Sequence, residues 1–245
     1  MGEHSTTAET KKQIAAAIPY AWPHDASLSR ETTALLICQT DMEQDFCTKG
    51  GYIEALGYSA EPARAIIPNV KRLLDAFRKL GWQVYHTREG HRPDLSTLWS
   101  RTAFRAGNNP GGASIGQPSP LGGRLLVRGG KSHDIVDELY PIDGEPVIDK
   151  PGQGAFAHTD FELLLRNRGI KNLVITGVTS DVCVSTTMRE GSDRGFDCAI
   201  VRDATASAKA EYHDSHIKSM TEEGGIFGVN LCVADVLEGL GVESV

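Results

Sequence analysis

The chain has 245 residues, a formal net charge of −7 at neutral pH and an apolar fraction of 40%. That length is enough for a sizeable core in one α/β domain or a tight pair, and the acidic balance excludes the basic surface that nucleic acid or an anionic membrane would require. Five cysteines, at 38, 47, 183, 198 and 232, are an odd number with no C-x-x-C, which argues for a reducing, cytoplasmic setting without a disulfide framework.

Residues 1–28 read as an arm, polar at first and then punctuated by Pro19 and Pro23, with Tyr20 and Trp22 as anchors onto its own domain or a neighbouring subunit. The N-terminus lacks the basic-then-apolar order of a secretory signal, and no run approaches the roughly 20 apolar residues of a membrane helix. Residues 29–245 read as one domain, in which short apolar runs alternate with helical periods, the signature of βα units on a parallel sheet.

"TALLIC" (33–38) opens that series as a buried strand. A helix follows over 61–80, with Ile66, Ile67, Val70, Leu73, Leu74 and Phe77 on one face and Gly81 as its stop. "WQVYHT" (82–87) is the next strand, and 107–123, crowded with Gly, Pro and Asn, is loop. "GEPVIDK" (144–150) is a strand, Thr159 and Glu162 predict a capping box for the helix "DFELLLRNRG", and "KNLVITGV" (171–178) is a strand again. A helix over 181–195, the strand "DCAIVRD", a helix around 210–223 and a last helix "VADVLEGL" complete a doubly wound α/β domain.

In such a sheet, ligands bind beyond the carboxyl ends of the strands. Asp41, Lys150 and Cys183 fall at three such ends. Taken singly, Asp41 is equally consistent with a helix cap, Lys150 with a solvated charge and Cys183 with core packing. Together they supply what thiol catalysis needs: a thiolate favoured by a nearby cation and a helix N-terminus, and a carboxylate to take and return a proton.

These residues lie in "DMEQDF", "DKPGQGAF" and "GVTSDVCV", and in that order they resemble the isochorismatase-like cysteine hydrolases over about residues 19–240. "PYAWP", "CTKGGYIEALGYS", "HTREGHRPDL", "DELYPIDGE" and "GGIFG" are most similar to the ureido-type branch, biuret hydrolases above all. The resemblance implies a three-layer α/β/α fold with a mostly parallel sheet of about six strands. It implies an Asp41, Lys150, Cys183 triad that cleaves a C–N bond of biuret or a related ureido compound through an acyl-enzyme and releases ammonia. It further implies a cis peptide at Val178–Thr179, an oxyanion hole from the backbone N–H groups of Thr179 and Cys183, and a homotetramer.

The runner-up substrate is ureidoacrylate or another N-carbamoyl acid, and the rival of another class is a non-catalytic binding or scaffold protein on the same fold. Three positions depart from the family pattern: Glu43 stands where Gln is usual, "ICQTD" carries two extra residues ahead of Asp41, and Glu223 replaces a glutamine that covers the substrate. An ionised glutamate only accepts hydrogen bonds, so Glu223 is expected to favour a substrate end rich in N–H donors and to disfavour a carboxylate. Phe46 is a candidate pocket wall, with a core role as the alternative.

The competing signals are weaker. Some relatives hold a metal through an Asp-x-His segment, but "HTREGHRPD" offers His86, Glu89, His91 and Asp94 without that spacing, and His213 with His216 lack a third ligand. "GASIG" around Ser114 has neither the strand nor the helix of a serine elbow, and no phosphate-binding glycine motif occurs. The reading therefore expects no metal and no cofactor. Cys38 and Cys198 read as core residues, Cys47 is undecided, and Arg88 and His91 read as surface groups at the pocket entrance or elsewhere.

Overall fold

The computed structural model describes residues 12–38 and 42–242, so Asp41 lies outside the described residues. Six parallel strands form one sheet: β1 (Thr33–Cys38), β2 (Gln83–Glu89), β3 (Val147–Lys150), β4 (Asn172–Val178), β5 (Asp197–Ala206) and β6 (Val229–Leu231), in the order β3-β2-β1-β4-β5-β6. The order reverses at β1 and β4, which pair from Thr33↔Asn172 to Cys38↔Gly177. Every residue of both strands is buried, as their unbroken apolar runs anticipate for central parallel strands.

The helices are α1 (Gln44–Cys47), α2 (Tyr52–Ala55), α3 (Glu61–Leu80), α4 (Ser100–Ala106), α5 (Phe161–Asn167), α6 (Ser185–Asp193), α7 (Ala210–Gly225) and α8 (Val233–Gly239). The period of two along β1 sends Leu35 and Ile37 to one face of the sheet and Ala34, Leu36 and Cys38 to the other. The first face packs on α3 and α8 through Val70, Leu74, Phe77, Val236 and Leu237. The second packs on α5, α6 and α7 through Phe161, Leu165, Met188 and Met220. The result is the three-layer, doubly wound α/β fold that the sequence led us to expect.

The segment before β1 belongs to the first core. Trp22 is fully buried with Ile14 and Leu28 in the cluster beneath α3 and α8, and Ile18 exchanges both backbone hydrogen bonds with Asn230, at 3.1 and 2.8 Å. Residues 12–28 of the arm thus anchor within their own domain and cover the open edge at β6, an edge that would otherwise offer unpaired backbone groups.

Four local features differ from the sequence reading. The capping box at Thr159 does not form: Thr159 Oγ1 donates to Ala155 O at 2.6 Å, while Glu162 pairs with Arg194 at 3.0 Å. Strand β2 runs on to Glu89, two residues past "WQVYHT". The helix after β4 starts as a π turn at Ser180–Val184 before α6 begins at Ser185. Finally, β6 and α4 escape the pattern, since three residues in one and a single exposed turn or two in the other carry too little periodicity.

Candidate active site

At the carboxyl ends of the strands, the β2–β3 register sets Glu89 directly opposite Lys150. Neighbouring positions of parallel strands point to the same side, so the two side chains meet: Lys150 Nζ is 3.3 Å from Glu89 Oε2 and donates to Gly152 O at 2.7 Å. Lys150 is fully buried, and a buried ammonium requires such a partner.

Cys183 reaches the same carboxylate from the other side of the switch point. The Val178–Thr179 peptide bond is cis, and the chain then folds back, with Val182 N and Val184 N both donating to Thr179 O at 3.1 and 3.2 Å. This turn holds Cys183 almost buried, with Sγ donating to Glu89 Oε2 at 3.8 Å. One oxygen therefore faces both the thiol and the ammonium. His213, on α7, meets the turn through Nδ1 at 3.0 Å from Ser180 Oγ, and burial holds its imidazole below the usual histidine range.

Gly177 explains how β1 and β4 can approach so closely here. It has φ +103°, and a side chain at this position would overlap the Cys38 carbonyl. The strands are thereby in close backbone contact at the last residue pair before the cis bond.

A cavity of about 250 Å³ opens over Cys183. Its inner wall includes Glu89, Thr179, Phe46 and Tyr52, the last two in edge-to-face contact at 5.7 Å. Phe46 is thus brought to the site as well as being buried. Tyr52 lies between unlike charges: burial first, then Glu89, pushes its hydroxyl up to about 12 against the opposing pull of Arg105. The outer wall is formed by exposed groups, among them Arg105, Lys209, Tyr58 and Tyr212.

Other candidates fall elsewhere. Glu223 is exposed in the break near the end of α7, at φ +54°, on the chain that leads into β6. Because all strands are parallel, that turn sits at the amino ends of the strands, and the adjoining Gly225 packs on Tyr20 from the arm. The structure does not bring Glu223 to Cys183 within one chain. Arg88 pairs with Asp149 at 2.8 Å and with Asp134 at 3.3 Å, and His91 is buried with Nδ1 3.3 Å from Thr97 Oγ1, so neither is a surface group at the entrance. Cys47 is buried with Sγ 3.9 Å from Met42 Sδ.

Glu43, the residue that departs from the usual Gln, is fully buried, with its carboxylate 3.9 Å from His133 Nε2. His133 packs flat against Gly90, next to Glu89, leaving no room for a side chain there. Burial and then Arg88 hold its imidazole down at about 4. Among the described residues no group of three or more His, Cys, Asp or Glu side chains is placed to hold a metal ion.

The sequence reading passed over Glu89, Tyr52, Arg105 and Lys209 as site residues. For Glu89 the signal was present: the strand-end rule finds it once β2 is run to its true end.

The isochorismatase domain model matches residues 33–229. The chain is 31% identical to the ureidoacrylate amidohydrolase RutB of Azorhizobium caulinodans over 201 residues, 78% of this chain and 84% of that one. It is 30% identical to the RutB of Stutzerimonas stutzeri over 78% of this chain and 77% of its relative. Among solved structures, an isochorismatase family protein from Desulfovibrio vulgaris superposes with a TM-score of 0.68 at 27% identity, over 84% of this chain and 97% of the other.

Proposed function

The chain belongs to the isochorismatase family, and from that premise we propose that it is a cysteine amidohydrolase cleaving a C–N bond of a small ureido compound. The observation that carries this reading is the convergence of Cys183 Sγ and Lys150 Nζ on Glu89 Oε2 at the base of a cavity. A thiol, a buried cation and a carboxylate in contact are the parts that thiol catalysis uses. A scaffold protein has no need of a buried lysine beside a thiol at a cavity floor.

In the proposed cycle, Asp41 takes the Cys183 proton and the thiolate bonds to the ureido carbonyl carbon. The backbone N–H groups of Thr179 and Cys183 hold the developing oxyanion. The C–N bond breaks as Asp41 protonates the leaving nitrogen, giving a thioester on Cys183. Water then adds to the thioester carbon, its proton passes through Asp41 to sulfur, and the free thiol returns. Lys150, fixed by Glu89 and the Gly152 carbonyl, supplies positive charge that favours the thiolate.

The substrate reading that the relatives support best is a ureido acid of the ureidoacrylate kind, since two RutB enzymes are 30% and 31% identical to this chain over 201 residues. Biuret is the second reading, favoured by the resemblance of "CTKGGYIEALGYS" and "HTREGHRPDL" to biuret hydrolases. Ammonia release from ureidoacrylate, N-carbamoyl amino acids, biuret, triuret and nicotinamide, with Cys183→Ser as control, tests the proposal. Turnover of ureido compounds that vanishes in the variant is expected; full activity in the variant would remove the mechanism.

A further inference from the structure

The cavity wall is divided by charge. On the nucleophile's side stand two carboxylates, Glu89, already paired with Lys150, and Asp181, two residues before Cys183 in the same turn. The same lining holds two cations, Arg105 from the last turn of α4 and Lys209 from the start of α7. Both are exposed, whereas Cys183 and Phe46 are buried, so the cations mark the mouth and the thiol the floor.

Neither cation is occupied by a carboxylate. Among the described residues Arg105 makes no ion pair and no side-chain hydrogen bond, and Lys209 makes no ion pair. Lys209 is held in place by an aromatic neighbour instead: its Nζ lies 3.4 Å from Tyr212 Oη and 5.0 Å from the ring centre. Two cations from different elements thus line one small cavity without a carboxylate in salt-bridge contact, with Glu211 near enough to favour the charged form of Lys209.

Resting on the ureido-amidohydrolase reading above, we infer that Arg105 and Lys209 form a carboxylate subsite at the cavity mouth, so that the substrate is a ureido acid bound with its carboxylate outward and its ureido carbonyl at Cys183. The guanidinium presents a fork of donors that matches a carboxylate, and the ammonium adds a point charge. The acceptor groups at the floor suit the N–H donors of the ureido end. A cavity of about 250 Å³ is lined by the thiol and both cations.

The test compares N-carbamoyl-β-alanine with its methyl ester, which removes the charge and keeps the ureido group. In the wild type the acid is expected to have the higher kcat/KM. In Arg105→Met and in Lys209→Met the acid-to-ester ratio of kcat/KM is expected to fall at least tenfold, through KM for the acid, and in the wild type the same ratio is expected to shrink as salt is raised. Circular dichroism of each variant checks that the fold is retained. A ratio unchanged in both variants, while ammonia is still released, overturns the subsite and leaves the ureido reading standing. No release from acid, ester or biuret by the wild type overturns the ureido reading itself and the subsite with it.

Discussion

Glu89 and Lys150 close adjacent strands as partners in register, with Oε2 and Nζ 3.3 Å apart, both side chains withdrawn from water. The same oxygen accepts from Cys183 Sγ at 3.8 Å. Breaking one side of a buried ion pair typically costs about 3–5 kcal/mol, because the remaining charge is left uncompensated. Glu89→Gln is therefore expected to lower the melting temperature by several degrees and kcat/KM by roughly a hundredfold. Adding Lys150→Met to it should cost less stability than the two single losses summed, a coupling that a double-mutant cycle in urea reads directly.

Gly177→Ala probes the junction that carries the cis bond and the nucleophile turn. The residue has φ +103°, and a Cβ would overlap the carbonyl oxygen of Cys38 on the paired strand. Loss of about 2–5 kcal/mol is expected by urea unfolding, with activity falling further than stability alone explains, because the turn holding Cys183 must shift.

Trp22 tests whether the arm is part of the fold. It is fully buried among residues that pack beneath α3 and α8. Trp22→Ala is expected to cost about 3–5 kcal/mol of unfolding free energy, the range for a large aromatic removed from a core. An arm that merely rested on the surface would give a change within about 0.5 kcal/mol.

Acid stability should follow His133 and Glu145. Burial and the nearby Arg88 keep the folded His133 neutral down to about 4, whereas in the unfolded chain it takes a proton near 6.5. The unfolded state binds more protons in that window, so stability falls as pH drops from about 6.5 to about 4, by roughly 1–3 kcal/mol. Glu145 acts lower on the scale. Burial raises its carboxyl, but hydrogen bonds from Arg78 and His86 outweigh that and hold it at about 2, so its contribution is present above the ordinary glutamate range and is lost as pH falls toward 2. Urea unfolding between pH 4 and 8 is expected to show the His133 slope, and His133→Asn to flatten it.

Much of this architecture is legible in the residues. The apolar runs of β1 and β4 and the 3.6-residue face of α3 place the sheet and one of its layers, and Lys150 and Cys183 at strand ends point to the candidate site. Glu89 was hidden only because "WQVYHT" looks complete before Arg88, a charged residue that in fact remains in the strand by pairing with Asp149 at 2.8 Å. Glu223 lies away from Cys183 within one chain for a topological reason. Sequence nearness to "GGIFG" does not say which end of the sheet the turn occupies, and the parallel register sends it to the amino ends. The capping signal at Thr159 was local chemistry that a stronger contact, the hydroxyl to Ala155 O, redirected.

The central claim, that Cys183 is the nucleophile, is tested most directly by a brief iodoacetamide pulse with the label located by peptide mapping, with and without substrate. Exposure alone favours Cys232, since the other four thiols are buried. Chemistry favours Cys183: burial and Asp235 push the Cys232 thiol up, and burial pushes that of Cys198 up much further, so neither is readily a thiolate at neutral pH. The account predicts that Cys183 is labelled first, that substrate shields it and that activity is lost in step. Labelling of Cys232 ahead of Cys183, with activity retained and no protection by substrate, would contradict it.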